Sequence, residues 1–154
     1  MFSELIFLSL LEDFIVFATL DEMMIALRSD MGDCHEAPPK SHAWELAIGL
    51  YKTSPHKNIR IVQNWIWLDV KVNQKEAEKL DTDGFMPAVL YAHWVIHDFS
   101  GGFKAGNCLC SSVLVTGSSI GRPIETRNSI YIPVGRGFRR KVRREVIRSI
   151  AYGQ

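Results

Sequence analysis

Apolar residues at three- and four-residue spacing open the chain: Leu5, Leu8, Leu11 and Ile15 form the stripe of a buried helix within an apolar, acid-dotted stretch reaching about Arg28. Thr19 and Glu22 have capping-box spacing, which predicts a break near Thr19 and a fresh short helix through Met23, Met24 and Leu27. The opening stretch reads as helix, and the run Phe14-Ile-Val-Phe17 leaves helix versus strand open for residues 13–20. Gly32, Pro38 and Pro39 make residues 31–40 a loop. Ser41 can cap a helix to about Tyr51, with Trp44, Ala47, Ile48 and Tyr51 on one face. From Ile59 to Val72 the period shortens to two, placing Ile66, Leu68, Val70 and Val72 on one side and Trp65, Trp67, Asp69 and Lys71 on the other. Asn73 with Glu76 is a second capping box, opening a short helix through Ala77 and Leu80 that ends at Asp83-Gly84.

Strand patterning resumes over Ala88–Asp98, which Ser100-Gly101-Gly102 turns, and three short strands follow at Leu109–Thr116, Pro123–Thr126 and Ser129–Val134. Arg127-Asn128 suits a two-residue hairpin turn, and Pro133, lacking an amide donor, marks a strand end or edge. Phe138, Val142, Val146 and Ile150, spaced by four, predict an amphipathic helix at the C-terminus. Helices flanking strands without βαβ alternation indicate an α+β single domain, with an antiparallel sheet of about four to five strands. Its parts are an apolar helical segment (1–30), a loop (31–40), an α+β core (41–135) and a basic helix (136–154). A length of 154 residues, 47% of them hydrophobic and 23% charged, agrees with one globular unit and argues against disorder, collagen-like sequence and a fully membrane-embedded chain.

Four motifs carry a family resemblance: the tryptophan-rich strand Asn64-Trp-Ile-Trp-Leu-Asp69, Leu90-Tyr-Ala-His93, Ser111-Ser-Val-Leu-Val115, and above all Glu125-Thr-Arg-Asn-Ser-Ile-Tyr131 followed by Gly135. Over about residues 60 to 137 the chain resembles a family of small bacterial proteins with no established activity. Pro133 stands where its members usually carry an aliphatic residue. The resemblance supports the fold and transfers no catalytic residue.

Charge is strongly polarised. Residues 1–36 hold eight acids against Arg28 alone, a net −7, whereas residues 136–148 hold Arg136, Arg139, Arg140, Lys141, Arg143, Arg144 and Arg148 against Glu145, a net +6. The two ends can attract each other or face separate partners. Glu4, Glu12 and Asp13 occupy the apolar start and no Lys or Arg precedes Arg28, the reverse of a secretory signal's charge order. The uncharged run Phe14–Leu20 is far below the ~20 residues that span a bilayer as a helix. Three cysteines, Cys34, Cys108 and Cys110, form no disulfide framework, so a cytoplasmic location is expected.

Candidate chemistry is sparse. Cys34-His35 with Cys108-Leu-Cys110 lacks zinc-site spacing, and His93 and His97, about 13 Å apart on a strand, cannot share an ion, so neither metal nor cofactor is expected. Thr116-Gly-Ser-Ser-Ile-Gly121 lacks the Gly-Lys-Ser/Thr ending of a phosphate-binding loop and reads as a hairpin loop. No nucleophile elbow or zinc-protease helix occurs. Arg127 beside Glu125 could hold an anion; Trp65 and Trp67 could stack a base or sugar, but core packing, under the Trp44–Tyr51 helix, is the expectation. The binding candidates are therefore Arg127, Arg136, Arg139, Arg140, Lys141, Arg143, Arg144 and Arg148.

These features favour a non-enzymatic interaction module for another macromolecule, protein over nucleic acid, of the size and polarity of a mobile-element or phage product that occludes a host complex. A homodimer through the apolar N-terminal segment is a further expectation. The alternatives are a nucleic-acid-binding protein using the arginine-rich helix, and an enzyme with an unrecognised site involving His93, His97 or Arg127.

Overall fold

The computed structural model describes residues 18–28 and 32–153, with side chains through residue 151. The Leu5–Ile15 stripe, the choice between helix and strand over residues 13–17, and any dimer contact through the N-terminal apolar stretch before Ala18 lie outside the described residues. The elements in chain order are α1 (Leu20–Ala26), β1 (Asp33–Glu36), α2 (Lys40–Thr53), β2 (Asn58–Lys71), α3 (Gln74–Thr82), β3 (Phe85–Met86), β4 (Ala88–Asp98), β5 (Leu109–Cys110), β6 (Leu114–Val115), β7 (Ile124–Glu125), β8 (Ser129–Arg143) and α4 (Arg144–Gly153). No helix among the described residues is long and apolar enough to cross a membrane.

Local signals set most helix starts. The Thr19 hydroxyl accepts from the Glu22 amide at 3.2 Å, and Asn73 and Glu76 complete both halves of a capping box on α3. α2 departs from expectation: it begins at Lys40 behind Pro39, and no side chain caps it. Ser41 falls inside its first turn, because Pro39 holds φ at −68° and already supplies the extended entry. The expected apolar face is rotated too. Ala43 and Ala47 meet the sheet, whereas Ile48 and Tyr51 stand 45% and 53% exposed.

The main sheet has six strands, ordered β1-β8-β2-β4-β5 with β7 also on β8, and β3 pairs with β6 in a separate ribbon. It is an α+β arrangement, but mixed rather than antiparallel: β2 and β8 run parallel from Asn58 opposite Ser129 to Lys71 opposite Arg143. Alternation reports which face a residue takes and is identical for either strand direction, so the pattern carried no sign of this. A parallel pair needs a crossover, and everything from α3 to β7 provides it.

A second correction concerns the C-terminal helix expected from Phe138. The chain remains strand through Arg143, and only residues 144–153 are helical. Spacing by four keeps Phe138 and Val142 on one face of a strand as well as on one stripe of a helix, so that periodicity could not separate the two. Partners separate them: β2 continues to Lys71, and the main-chain groups of residues 138–143 pair with it. Pro133, expected at a strand end or edge, lies buried inside β8 rather than at its end, but on a local edge. The Gly135 amide donates away from β2, to the Pro38 carbonyl, and amides on that side recur every second residue. The N–H that Pro133 lacks therefore faces a gap between β7, which pairs with β8 up to Tyr131, and β1, which joins it from Arg136.

Both faces of the sheet are covered. At Asn64, whose φ is 52°, the register with β8 shifts, Gly135 and Arg136 standing opposite this one residue, and Val62, Trp65 and Trp67 take one face while Ile59, Ile61, Ile66, Leu68 and Val70 take the other. The helices take the second face. Ala43 and Ala47 of α2 pack on Ile59, Ile61, Ile130 and Ile132, and Ala26, Leu80, Val146, Ile147 and Ile150 close over Ile66, Leu68, Val70 and Val142. Trp65 and Trp67 are core residues, as expected, but α2 lies on the opposite face; their cover comes from Leu114, Ile124 and neighbouring loop residues such as Phe103 and Ile120. Gly137 is required beneath them, since a Cβ there would fall 2.1 Å from the Trp65 ring.

Candidate functional site

The basic segment is distributed along β8 and into α4, and most of its charge is used within the chain. Arg139 grips Asp69 with two bonds of 2.7 and 3.1 Å, its guanidinium 5.2 Å from the centre of the Trp67 ring. Arg143 makes a two-pronged pair with Glu22 of α1, both bonds at 2.6 Å. Arg144 reaches Glu76 at 3.2 Å, and Arg136 meets Glu36 on β1 at 3.3 Å. Arg140 points to the helix side, where it donates to the carbonyls of Ile25, Ala26 and Arg28 and closes the C-terminal end of α1. Arg148 is buried inside α4's packing face. The hydrogen bond from Arg143 holds the Glu22 carboxyl below its ordinary range, and the bonds to Asp69 and Glu22 raise Arg139 and Arg143 respectively.

Two cations are left over on this side of the molecule. Lys71 and Lys141 are exposed and have no bonded partner among the described residues. Arg127 lies apart, in the two-residue turn before β8, half-buried and with its Nη1 unbonded. Glu125 does not pair with it. Lys57 takes that carboxylate at 3.0 Å and also donates to the Thr126 and Arg127 carbonyls, fastening the turn to the start of β2. The turn forms as expected but needs no positive φ at Asn128.

Sequence reasoning missed a buried polar knot. Arg60 on β2 bonds Asp98 at the end of β4 at 3.1 Å, reaches the hydroxyls of Ser129 and Tyr131, and lies 4.7 Å from the centre of the Phe103 ring. Burial would raise Asp98, but bonds from the Ser100 hydroxyl and amide, the Phe103 amide and Arg60 outweigh it and hold the carboxyl low. All its polar partners are satisfied within the chain, so the knot fixes the Ser100–Phe103 turn. An Arg inside Ile59-Arg-Ile61 and the Asp of Asp98-Phe-Ser-Gly-Gly102 were the available signals.

Other candidates separate in space. Cys34 and His35 lie on β1 and Cys110 on β5, at opposite edges of the main sheet, so their ligating atoms do not converge. His93 bonds the Leu27 carbonyl at 2.6 Å, whereas His97 packs against Trp44 and Phe99. Burial pushes Tyr91 and Cys110 up to about 12, so Cys110 holds its thiol proton at neutral pH. The Thr116–Gly121 segment is the expected hairpin loop, joining β6 to β7 with the Ser118 hydroxyl on the Glu125 backbone.

An aromatic ridge stands uncovered where α2 meets the end of β4. Trp44, Tyr51, His97 and Phe99 pack ring to ring, with centroids 4.5 to 5.7 Å apart, beside exposed Ile48. Its sequence signal was Trp44-x₃-Ile48-x₂-Tyr51, read as an inward stripe, when the fully buried residues of α2 are Ala43 and Ala47 and Ile48 and Tyr51 stand exposed.

No curated protein and no solved structure is significantly similar to the chain. A family model does match, over residues 40–149, which takes in the aromatic ridge, the polar knot, all of β8 and most of α4. The chain therefore belongs to the DUF6957 family, a domain of unknown function.

Proposed function

We propose that the chain is a non-enzymatic interaction module that binds a protein partner through the aromatic ridge of α2 and β4. The observation that supports this is the ridge itself, in which packed rings hold their own geometry while Tyr51 and Ile48 stay about half exposed. Rigid aromatic groups with an aliphatic neighbour are what protein interfaces use as anchors. The placement of the arginines favours protein over nucleic acid. Binding to phosphates gains affinity from cations free to replace counterions, and Arg136, Arg139, Arg143 and Arg144 already face carboxylates of this chain. A reducing compartment such as the cytoplasm suits the three free thiols.

Cross-linked capture from a bacterial lysate, with and without nuclease, tests the reading. Wild type should recover a protein partner that survives nuclease, and Ile48→Ser with Tyr51→Ser should lose it at an unchanged melting temperature. Recovery that nuclease abolishes, and that Lys71→Glu with Lys141→Glu abolishes too, would instead establish the nucleic-acid alternative.

A further inference from the structure

The gap in the outer edge of β8 is a small apolar groove of about 220 Å³. Pro38, Leu46, Pro123, Ile132 and Pro133 form its walls. Its charged or ionisable lining residues are Arg122 and His42, both exposed and without a bonded partner among the described residues. Among the described residues no carboxylate lines it. The positive end of α2, which no side chain caps, adds the same sign at one end of the groove.

These properties constrain an occupant. Pro38, Pro123 and Pro133 in its walls have no amide to donate, and Pro133 occupies the position on the β8 edge whose N–H would have bonded another strand, so the gap is not suited to strand addition. The groove is smaller than the ~300 to 1,000 Å³ of pockets that enclose whole small-molecule ligands, and matches one apolar side chain. Arg122, a cation without a counter-charge at its mouth, and the His42 ring as a second hydrogen-bonding group favour a carboxylate next to that side chain. We propose that the groove receives the C-terminal residue of a polypeptide, its aliphatic or aromatic side chain seated among the prolines and Leu46 and its terminal carboxylate held by Arg122 and His42. A polypeptide terminus is favoured over a free small acid because one buried side chain supplies little affinity by itself, and neighbouring peptide residues can add contacts along the open groove. The site is separate from the aromatic ridge and stands or falls independently of it.

The test uses the full chain and short acetylated peptides ending in Leu or Phe, each as the free acid and as the C-terminal amide, followed by NMR. The free acids should shift the signals of Leu46, Arg122 and Ile132, and the amides should bind about tenfold more weakly, the effect of losing one charge-assisted hydrogen bond. Arg122→Glu, at an exposed position, should weaken the acids to the level of the amides, while Tyr51→Ser should leave them unchanged. Equal binding of acid and amide, no response of the groove signals at millimolar peptide, or equal shifts from isovalerate alone would each overturn the proposal.

Discussion

Asp98 illustrates how a single buried charge is made tolerable. Its side chain is fully enclosed, and its two oxygens accept bonds from Ser100, Phe103 and Arg60, so ionisation is favoured despite burial. Asp98→Asn removes the charge opposite the nearly enclosed Arg60 and should cost about 3 kcal/mol, the loss typical of breaking a buried pair, measured by chemical denaturation. Because the folded carboxyl lies below its ordinary 3.8, its contribution is complete above that pH and declines as the pH falls through the folded value. The wild type should therefore lose stability on that acid limb, and the Asn variant should lose less of it. A similar stringency applies to Gly137, whose added Cβ would overlap the Trp65 ring. Gly137→Ala should destabilise by about 1 to 3 kcal/mol, the usual cost of overpacking, and a variant as stable as wild type would show that the ring moves freely.

At the scale of elements, what was readable depended on whether the signal was local. Capping boxes at Thr19 and Asn73, alternation along β2 and the turn before β8 are encoded within a few residues, and each produced the expected element. The parallel pairing of β2 with β8 is encoded by partners about 70 residues away and left no local trace. The C-terminal segment failed for a related reason, since a four-residue apolar spacing satisfies helix and strand alike. The ridge was missed because an aromatic stripe was assumed to face the core, when α2 buries its small residues to approach the sheet closely. The basic candidates were identified as residues, but only geometry showed which carboxylates they meet. Carbon chemical shifts should accordingly be extended through Arg143 and helical from Arg144. Val142→Asp, placing a charge among Val70, Val146 and Ile150, should destabilise by about 3 kcal/mol.

Across the whole molecule, the described part of the acidic start meets the basic finish, through Glu22 with Arg143 and Glu36 with Arg136. α1 closes over α4 and the end of β8 with Met23, Ala26 and Leu27, and its C-terminal carbonyls are bonded by Arg140. Deleting residues 1–30 should therefore expose Val146 and Ile150 and give insoluble or partly unfolded protein; a soluble truncation with a cooperative melt would refute this. The charge pairing itself is tested through Glu22 and Arg143. Both side chains are partly exposed, so salt should screen the pair and lower its contribution. Because Glu22 titrates below its ordinary 4.5, the contribution is present above that pH and disappears as the pH falls through the folded value. Arg143→Glu should lower the melting temperature at neutral pH, and adding Glu22→Arg should restore part of it, a coupling that independent sites would not show. At high salt or in acid the single reversal should lose most of its penalty. If instead Arg143→Glu leaves the melt unchanged and removes a salt-sensitive affinity for DNA or heparin, the arginines serve an external polyanion, and the internal pairing is incidental to stability.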